Sequence, residues 1–263
     1  MKYPLRSRFL KTVFFALITI PAINVSAATA STQDVHEIAD ICMYAQRLLK
    51  DYAMIGMGVT YHNPAADLAK NSKMIDRYFA DVESHQLKKK LDAEVREIHA
   101  LWDKIKPQLL HKPEKNKMLA LREAVEKFTK RCEEVADHLA EDTKIKGEHE
   151  VVLIAQLGME VQRLSALYMM KAWGVSDPDY YKHVDEILNE YEDIYHELQK
   201  ADNKLVSKEI KIRLKKAESR FLAFKFMAAS KSGRFIPTLA EKTSSEIFYE
   251  LREILKLEEE LVE

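Results

Sequence analysis

The sequence predicts an all-α protein made of two tandem up-down four-helix bundle modules. Three observations predict this. The 263 residues include only six glycines and seven prolines, and long stretches consist of strong helix formers. The alternation of polar and apolar residues that is typical of half-buried strands is absent. A repeat with a constant spacing divides the predicted helices into two sets of four, and short connections within each set favour antiparallel neighbours.

The first thirty residues have the layout of a secretory signal peptide. Four basic residues and no acidic residue precede an apolar stretch from Thr12 to Val25, and small residues follow this stretch. The stretch is shorter than the roughly twenty residues that a membrane-spanning helix needs. We therefore expect cleavage, after Ala30 or after Ala27, and a periplasmic protein. An uncleaved membrane anchor is the alternative.

The formal charge limits the classes of partner. Loss of residues 1–30 would remove four positive charges and lower the formal net charge from −1 to −5. Binding to nucleic acid, or a general attraction to an anionic membrane surface, needs a concentrated basic field. The composition therefore favours neither nucleic acid nor an anionic membrane surface as a partner of the chain as a whole.

Prolines and glycines mark the ends of the predicted helices. The first module is expected to span residues 31–146 and the second 147–263. Only Gly147 interrupts residues 144–150, so the fourth and fifth helices are expected either to join in one long continuous helix or to remain separate. The predicted helices are 32–61, 65–83, 86–106, 114–144, 148–175, 179–200, 205–230 and 236–261.

The first helix of each module carries the same motif at an offset of 116 residues. Gln46-Arg47-Leu48 in the first copy corresponds to Gln162-Arg163-Leu164 in the second. A shared offset for so many identities favours duplication over the convergence of two amphipathic helices. The other matching pairs are Met43 with Met159, Tyr52 with Tyr168, Met54 with Met170, Gly58 with Gly174 and Val59 with Val175.

Part of this motif lies on the side of the helix opposite its predicted core seam. At 100° per residue, Met43, Arg47, Met54 and Gly58 fall within about 60° of one another. Met adapts to irregular surfaces and Gly permits close backbone approach. The stripe therefore predicts contact with another helix, a second copy of the chain or a ligand. The alternative is a pair of solvated arginines that cover apolar neighbours.

The two cysteines, Cys42 and Cys132, allow one intramolecular pairing. They lie on helices expected to be antiparallel neighbours, at nearly the same height, and an exported protein meets an oxidising compartment. A disulfide between the first and fourth helices and two buried free thiols both remain open.

These motif residues resemble a known family. The first helix of each copy is similar to that of the periplasmic sensor modules of type IV pilus chemotaxis transducers (PilJ type) and nitrate/nitrite sensor kinases (NarX type). The remainder of each copy agrees with the family only in the number and length of helices. The matching residues are Met43, Gln46, Arg47, Lys50, Tyr52, Gly58 and Val59, and in the second copy Met159, Gln162, Arg163, Tyr168, Gly174 and Val175.

The resemblance implies a non-enzymatic helical sensor domain for signal transduction, whose first helices usually meet across a dimer. The expected partners are a small ligand, a second copy or a membrane receptor. In the nitrate sensors an arginine just before the motif Met grips the anion, whereas Cys42 and Gly158 stand there in this chain. Nitrate binding is therefore not carried over. The expected ligand- or partner-binding residues are Arg47, Arg163, Met43, Met159, Gln46 and Gln162.

Motifs for enzymatic chemistry are absent from the sequence. It contains no Glu-x-x-His, His-Glu-x-x-His or Gly-x-Ser-x-Gly, and the few glycines leave no phosphate-binding loop. We therefore expect no catalytic residues, no metal and no cofactor. The leading interpretation is an exported sensor-type module that binds a small ligand or a receptor. The alternative is a structural or adaptor protein that packs against partner helices without a ligand.

Overall fold

The structure, a computed structural model, describes residues 29–262. These residues form eight α-helices, so the predicted all-α class is confirmed. The predicted signal peptide lies outside the described residues except for Thr29 and Ala30. The helices are α1 (Thr32–Gly56), α2 (Pro64–Ser84), α3 (Lys89–Leu110), α4 (Met118–Thr143), α5 (Glu148–Ala172), α6 (Tyr180–Lys200), α7 (Lys208–Ala228) and α8 (Pro237–Val262).

Helices α1 and α5 end in the same way, and the repeated Gly-Val pair forms the stop signal. Gly58 and Gly174 have φ angles of 72° and 78°, the left-handed conformation that glycine adopts without strain. The N–H of Val59 then donates to the carbonyl of Met54 at 3.0 Å. In α5 the N–H of Val175 donates to the carbonyl of Met170, also at 3.0 Å. This part of the repeated motif therefore caps a helix.

The repeated tyrosines hold equivalent loops. The hydroxyl of Tyr52 accepts a hydrogen bond from the N–H of Glu114 at 2.9 Å, just before α4. The hydroxyl of Tyr168 accepts one from the N–H of Ile236 at 2.8 Å, just before α8. Both copies thus use this residue to fix the connection between their third and fourth helices.

Of the two arrangements that the sequence left open for the fourth and fifth helices, the structure has the separate helices and not one long continuous helix. Helix α4 ends at Thr143, and the left-handed conformations of Lys144 and Gly147 reverse the chain before α5 begins. Helices α4 and α5 pack side by side and run antiparallel, with His149 Nδ1 lying 3.8 Å from Asp137 Oδ1.

The sequence predicts that the third helix ends before Pro107, and this prediction is wrong. The helix continues to Leu110. Because Pro107 lies in the last turn, only one intrahelical hydrogen bond is lost there, and packing of the buried Leu109 continues the helical face.

Contacts within each half follow the order expected for a four-helix bundle. Helices α1 to α4 form one ring of neighbours and α5 to α8 another. The closest association in the molecule, however, is between α1 and α5, and the buried apolar residues of both halves form a single core. The structure therefore does not confirm two separate modules, and the division at residues 146 and 147 stays a prediction.

Helices α1 and α5 lie parallel and nearly in repeat register. A Cβ placed on Gly158 would lie 2.6 Å from Sδ of Met43, and one on Gly56 would lie 2.3 Å from the ring of Trp173. Both contacts join residues about 116 positions apart, which is the spacing of the repeat. The stripe that was predicted to face away from the core therefore lies against the second half of the same chain.

A disulfide joins α1 to α4. Cys42 and Cys132 lie with their Cα atoms 5.7 Å apart and are bonded through their sulfur atoms. Both side chains are buried. The pairing that the sequence left open against two free thiols is thus present in the structure, and it links the first and last helices of the first half.

Candidate functional site

The residues predicted to bind a ligand or partner are largely buried. Met43 and Met159 lie in the core, with Met43 against Gly158 of the facing helix. Gln46 Nε2 donates to Thr129 Oγ1 at 3.2 Å and to Glu126 Oε1 at 3.3 Å. Gln162 is fully buried and forms no side-chain hydrogen bond within residues 29–262. Met43, Gln46 and Gln162 are therefore closed to a solvent-borne ligand, whereas Met159, although buried, lies at the wall of a groove between α4, α5 and α6.

The two predicted arginines are not brought together. They project from opposite sides of the α1–α5 pair, Arg47 towards α2 and α8 and Arg163 towards α4 and α6. Two functional environments follow, one around each arginine, and they differ in chemistry.

Arg47 is enclosed by partners. Its Nη2 donates to Asp67 Oδ2 at 3.0 Å and to the hydroxyl of Tyr249 at 3.3 Å. Its guanidinium carbon lies 4.9 Å from the centre of the Phe248 ring. Although burial alone would lower it, the neighbouring carboxylates, Asp51 foremost, raise the pKa of Arg47 above its ordinary value. With only 2% of the residue exposed, Arg47 connects α1 to α2 and α8 and is closed to an anion from solvent.

A buried ion pair lies beside Arg47. Lys50 is fully buried, and its Nζ lies 2.5 Å from Glu241 Oε2 and 3.5 Å from Asp51 Oδ1. Burial would raise the pKa of Glu241, but Lys50 holds it below the ordinary value. Burial raises the pKa of Asp51 to about 6, against the opposing effect of Lys50. These charges neutralise one another inside the core between α1 and α8.

Arg163 instead faces an open groove between α4, α5 and α6. Its Nη2 lies 2.9 Å from Glu126 Oε2 and its Nη1 lies 2.9 Å from Glu160 Oε1. It also pairs with Glu190. The groove has a volume of about 620 Å³. Its charged lining comprises five carboxylates, Glu126, Glu133, Glu160, Glu190 and Asp193, and three basic groups, Lys127, Lys130 and Arg163.

The groove holds five carboxyl groups against three basic groups, and burial shifts the pKa of two of the five upward. Burial raises the pKa of Glu133 to about 8, with Glu190 adding repulsion and Arg163 opposing it. Burial raises the pKa of Glu160 well above its ordinary value, although Arg163 lies beside it. Near neutral pH Glu133 therefore largely retains its proton. A cation that entered the groove would favour the ionised form of Glu133, whereas an anion would raise the pKa of Glu133 further.

Substitution of Glu133 by glutamine should change the pH dependence of stability. The pKa of Glu133 rises from 4.5 to about 8 in the folded protein, so the folded state binds the proton more tightly than the unfolded state does. The stabilisation is complete below pH 4.5 and is lost as the pH rises towards 8. We expect the free energy of unfolding of the wild type, measured by urea denaturation from pH 5 to pH 8, to fall relative to that of Glu133→Gln. Parallel curves would contradict the assignment.

Sequence reasoning singled out Arg163 but missed its carboxylate partners. Glu126 and Glu190 come from α4 and α6, and no motif connects them to the arginine. One signal was available, because Glu160 replaces Tyr44 at the equivalent position of the first copy. In the first half Tyr44 packs edge-on against Phe248 with ring centres 5.6 Å apart. The side with the arginine groove is thus the side on which the repeat has diverged.

No protein-family model matches this chain, and no curated protein or solved structure matches it either. The resemblance to sensor modules stays a prediction from the motif. Within residues 29–262, no group of three or more His, Cys, Asp and Glu side chains is arranged to hold a metal ion. None of the helices that the structure describes is long and apolar enough to span a membrane.

Proposed function

We propose that this protein is a non-enzymatic, exported module of sensor type whose ligand is a small organic cation bound in the Arg163 groove. The observation that carries the proposal is the excess of carboxyl groups in an open groove, five against three basic groups, because a bound cation would favour the ionised form of those that hold protons. The ligand would bring its positive group to Glu133 and Glu190, which line the open part of the groove.

The chemistry of the groove selects for a cation with an apolar portion. Met159 and Ile194 contribute apolar wall to the same groove. A positive group beside Glu133 would stabilise the ionised carboxylate, and the pKa of Glu133 would fall towards its ordinary value. Binding of the cation would therefore be coupled to release of the proton from Glu133. An aliphatic amine or polyamine meets both requirements.

An anionic ligand is the weaker candidate. Arg47 is buried among its partners inside the protein, and Arg163 is surrounded by carboxylates. At the position where the nitrate sensors carry their anion-gripping arginine, Cys42 forms the disulfide and Gly158 lies under Met43. Neither copy of that position can offer a donor to an anion.

The parallel contact of α1 with α5 supports the sensor interpretation. In the family that the motif resembles, the first helices of two chains meet across a dimer. In this chain the two first helices come from the two halves and meet within one molecule, as Met43 with Gly158 and Gly56 with Trp173 illustrate. A membrane receptor or a second copy stays the proposed partner that would receive the signal.

A structural or adaptor protein is the second candidate function. The closure of the Arg47 side and the large area of contact between the halves favour a rigid spacer that needs no ligand. The two functions differ in one measurable property, namely whether a small molecule stabilises the protein through the groove.

Thermal unfolding tests the proposal. The chain from Thr29 to Glu263 would be unfolded with putrescine, spermidine or arginine, and with nitrate or chloride, at fixed ionic strength. A ligand at a hundred times its dissociation constant adds about 2.7 kcal/mol. At this size the midpoint should rise by about 2–4 °C per kcal/mol. We expect a rise with at least one amine and none with the anions.

A matched pair of variants locates the effect. Glu190→Gln with Asp193→Asn removes two charges from the groove side of α6. Asp185→Asn with Glu186→Gln removes two exposed charges from the same helix outside the groove. The amine response should disappear in the first variant and persist in the second. An equal response in both would show general charge screening, and no response to any amine would favour the adaptor function.

A further inference from the structure

Helix α7 exposes large apolar side chains on its outer face. Phe226 is 76% exposed and Ile212 is 71% exposed, and Leu222 is 40% exposed. At 100° per residue the three fall within an arc of about 80°. They therefore form one stripe along the helix and are not isolated exposed side chains.

This stripe is additional to the face by which α7 joins the bundle. The buried residues of α7, among them Leu214, Phe221 and Phe224, face the protein interior, where α7 packs mainly against α8 and α6. An outer helix of a bundle normally presents polar residues to water on its other side. Helix α7 is therefore apolar on two sides although only one of them is covered.

The equivalent helix of the first half shows that the fold does not require the stripe. Each buried position of α3 recurs in α7 at an offset of 119 residues, as Leu91 with Ile210 and Trp102 with Phe221 illustrate. By this register the positions of Ile212, Leu222 and Phe226 correspond to Ala93, Asp103 and Pro107, which are small, charged and cyclic. The large apolar residues are thus particular to α7.

Basic residues are interleaved with the stripe. Nine basic and two acidic residues lie between Lys208 and Arg234, whereas the whole chain has a formal net charge of −1. Lys208, Lys215 and Lys216 are exposed and form no ion pair with any other residue that the structure describes. Lys208 and Lys215 lie at the same angular position as the apolar side chains, and Lys216 flanks them.

We propose that this surface, formed by Lys208, Ile212, Lys215, Lys216, Leu222 and Phe226 and called the α7 face, docks onto an anionic membrane surface. The apolar side chains enter the boundary between headgroups and acyl chains, and the lysines contact lipid phosphates. Amphipathic helices that bind the membrane interface combine these two contributions.

A lipid surface fits the α7 face better than an acidic protein does. The exposed Lys215 lies at the same angular position between Ile212 and Leu222, so a second helix packed along the stripe would have to cover its ammonium group. Single side chains of this kind insert readily between lipid headgroups, and anionic phosphates lie at the depth that the flanking lysine ammonium groups reach.

Vesicle sedimentation tests the proposal. The chain from Thr29 to Glu263, which contains every described helix, would be mixed with vesicles of phosphatidylcholine alone or with one third phosphatidylglycerol. We expect partition onto the anionic vesicles to be about tenfold or more above that onto the neutral ones. We expect Ile212→Ser with Phe226→Ser, and separately Lys215→Glu with Lys216→Glu, each to reduce that partition by about tenfold.

Matched substitutions on α3 serve as controls. Lys89→Glu with Lys104→Glu makes the same change in net charge, and Leu110→Ser removes an exposed apolar side chain. Both should leave vesicle binding unchanged, and circular dichroism should show the same helix content in every variant. Equal partition onto both vesicle types, or equal losses in the α3 and α7 variants, would overturn the proposal. Binding to polyglutamate but not to vesicles would overturn it in favour of an acidic protein partner.

Discussion

Replacement of Lys50 by alanine is expected to lower the free energy of unfolding by about 3–5 kcal/mol. Lys50 is fully buried, and its ammonium group is the cation nearest to Glu241. Without it the buried carboxylate of Glu241 keeps its desolvation cost and loses the charge that offsets it. Urea denaturation at pH 7, with the same slope assumed for both proteins, measures the change.

The double variant Lys50→Met with Glu241→Leu separates the value of the pair from the cost of breaking it. Removal of both charges leaves Asp51 as the remaining buried carboxyl group, with Arg47 still favouring its ionised form, and apolar replacements of a buried pair are often neutral or stabilising. We expect the double variant to unfold within about 1–2 kcal/mol of the wild type, with Ser245 losing its acceptor at 2.7 Å as the main residual cost. A loss of less than about 1 kcal/mol for Lys50→Ala alone would contradict the assignment, since it would mean that Glu241 finds other compensation.

Replacement of both cysteines by alanine is expected to cost about 2–5 kcal/mol of unfolding free energy. The disulfide closes a loop with a sequence separation of 90 residues. A cross-link across a loop of that length restricts the unfolded chain strongly, so unfolding gains less conformational entropy than it would without the disulfide. Denaturant unfolding of the wild type and of Cys42→Ala with Cys132→Ala measures the difference.

Reduction of the wild type provides the control for the cysteine variant. The reduced protein should unfold near the same denaturant concentration as the double variant, because both lack the cross-link. An additional loss in the variant alone would report the cavities left by the two buried sulfur atoms. Identical midpoints for the oxidised and reduced wild type would show that the bond does not stabilise the fold.

The helices could be predicted from the sequence because their signals are local. Ser31 begins α1 by accepting a hydrogen bond from the N–H of Asp34, and Gly58 ends it with a positive φ. The repeat was also visible, because identical residues at one offset need no knowledge of packing. What could not be read locally is the reversal at Lys144, a residue that adopts the left-handed conformation although lysine seldom does.

The position of α1 and α5 in the middle of the molecule was mistaken for a different reason. The spacing of apolar residues along α1 predicts one buried face. The second face was therefore assigned to a ligand or an external partner. A helix surrounded by neighbours on all sides is buried all round. The sequence of α5 indicates this, because Glu160 and Arg163 are its only charged residues between Val151 and Met170.

Little of the candidate site could be predicted beyond Arg163 itself. The groove takes carboxylates from α4, α5 and α6, and their approach depends on the rotation of three helices. Those rotations follow from packing of residues such as Met159 and Ile194, which carry no motif. The α7 face was missed because the net charge of a whole chain hides a basic segment, although the segment from Lys208 to Lys216 shows it on inspection.

Because α1 and α5 belong to one chain, their contact is free of a constraint that applies to the interface of a symmetric homodimer. In a homodimer every mutation appears twice, so an interface residue must suit both sides of the axis. Here Tyr44 and Glu160 occupy equivalent positions and have become different. Tyr44 could therefore form an aromatic contact with Phe248, while Glu160 could line an acidic groove. The internal pairing is also independent of protein concentration, and dilution cannot dissociate it.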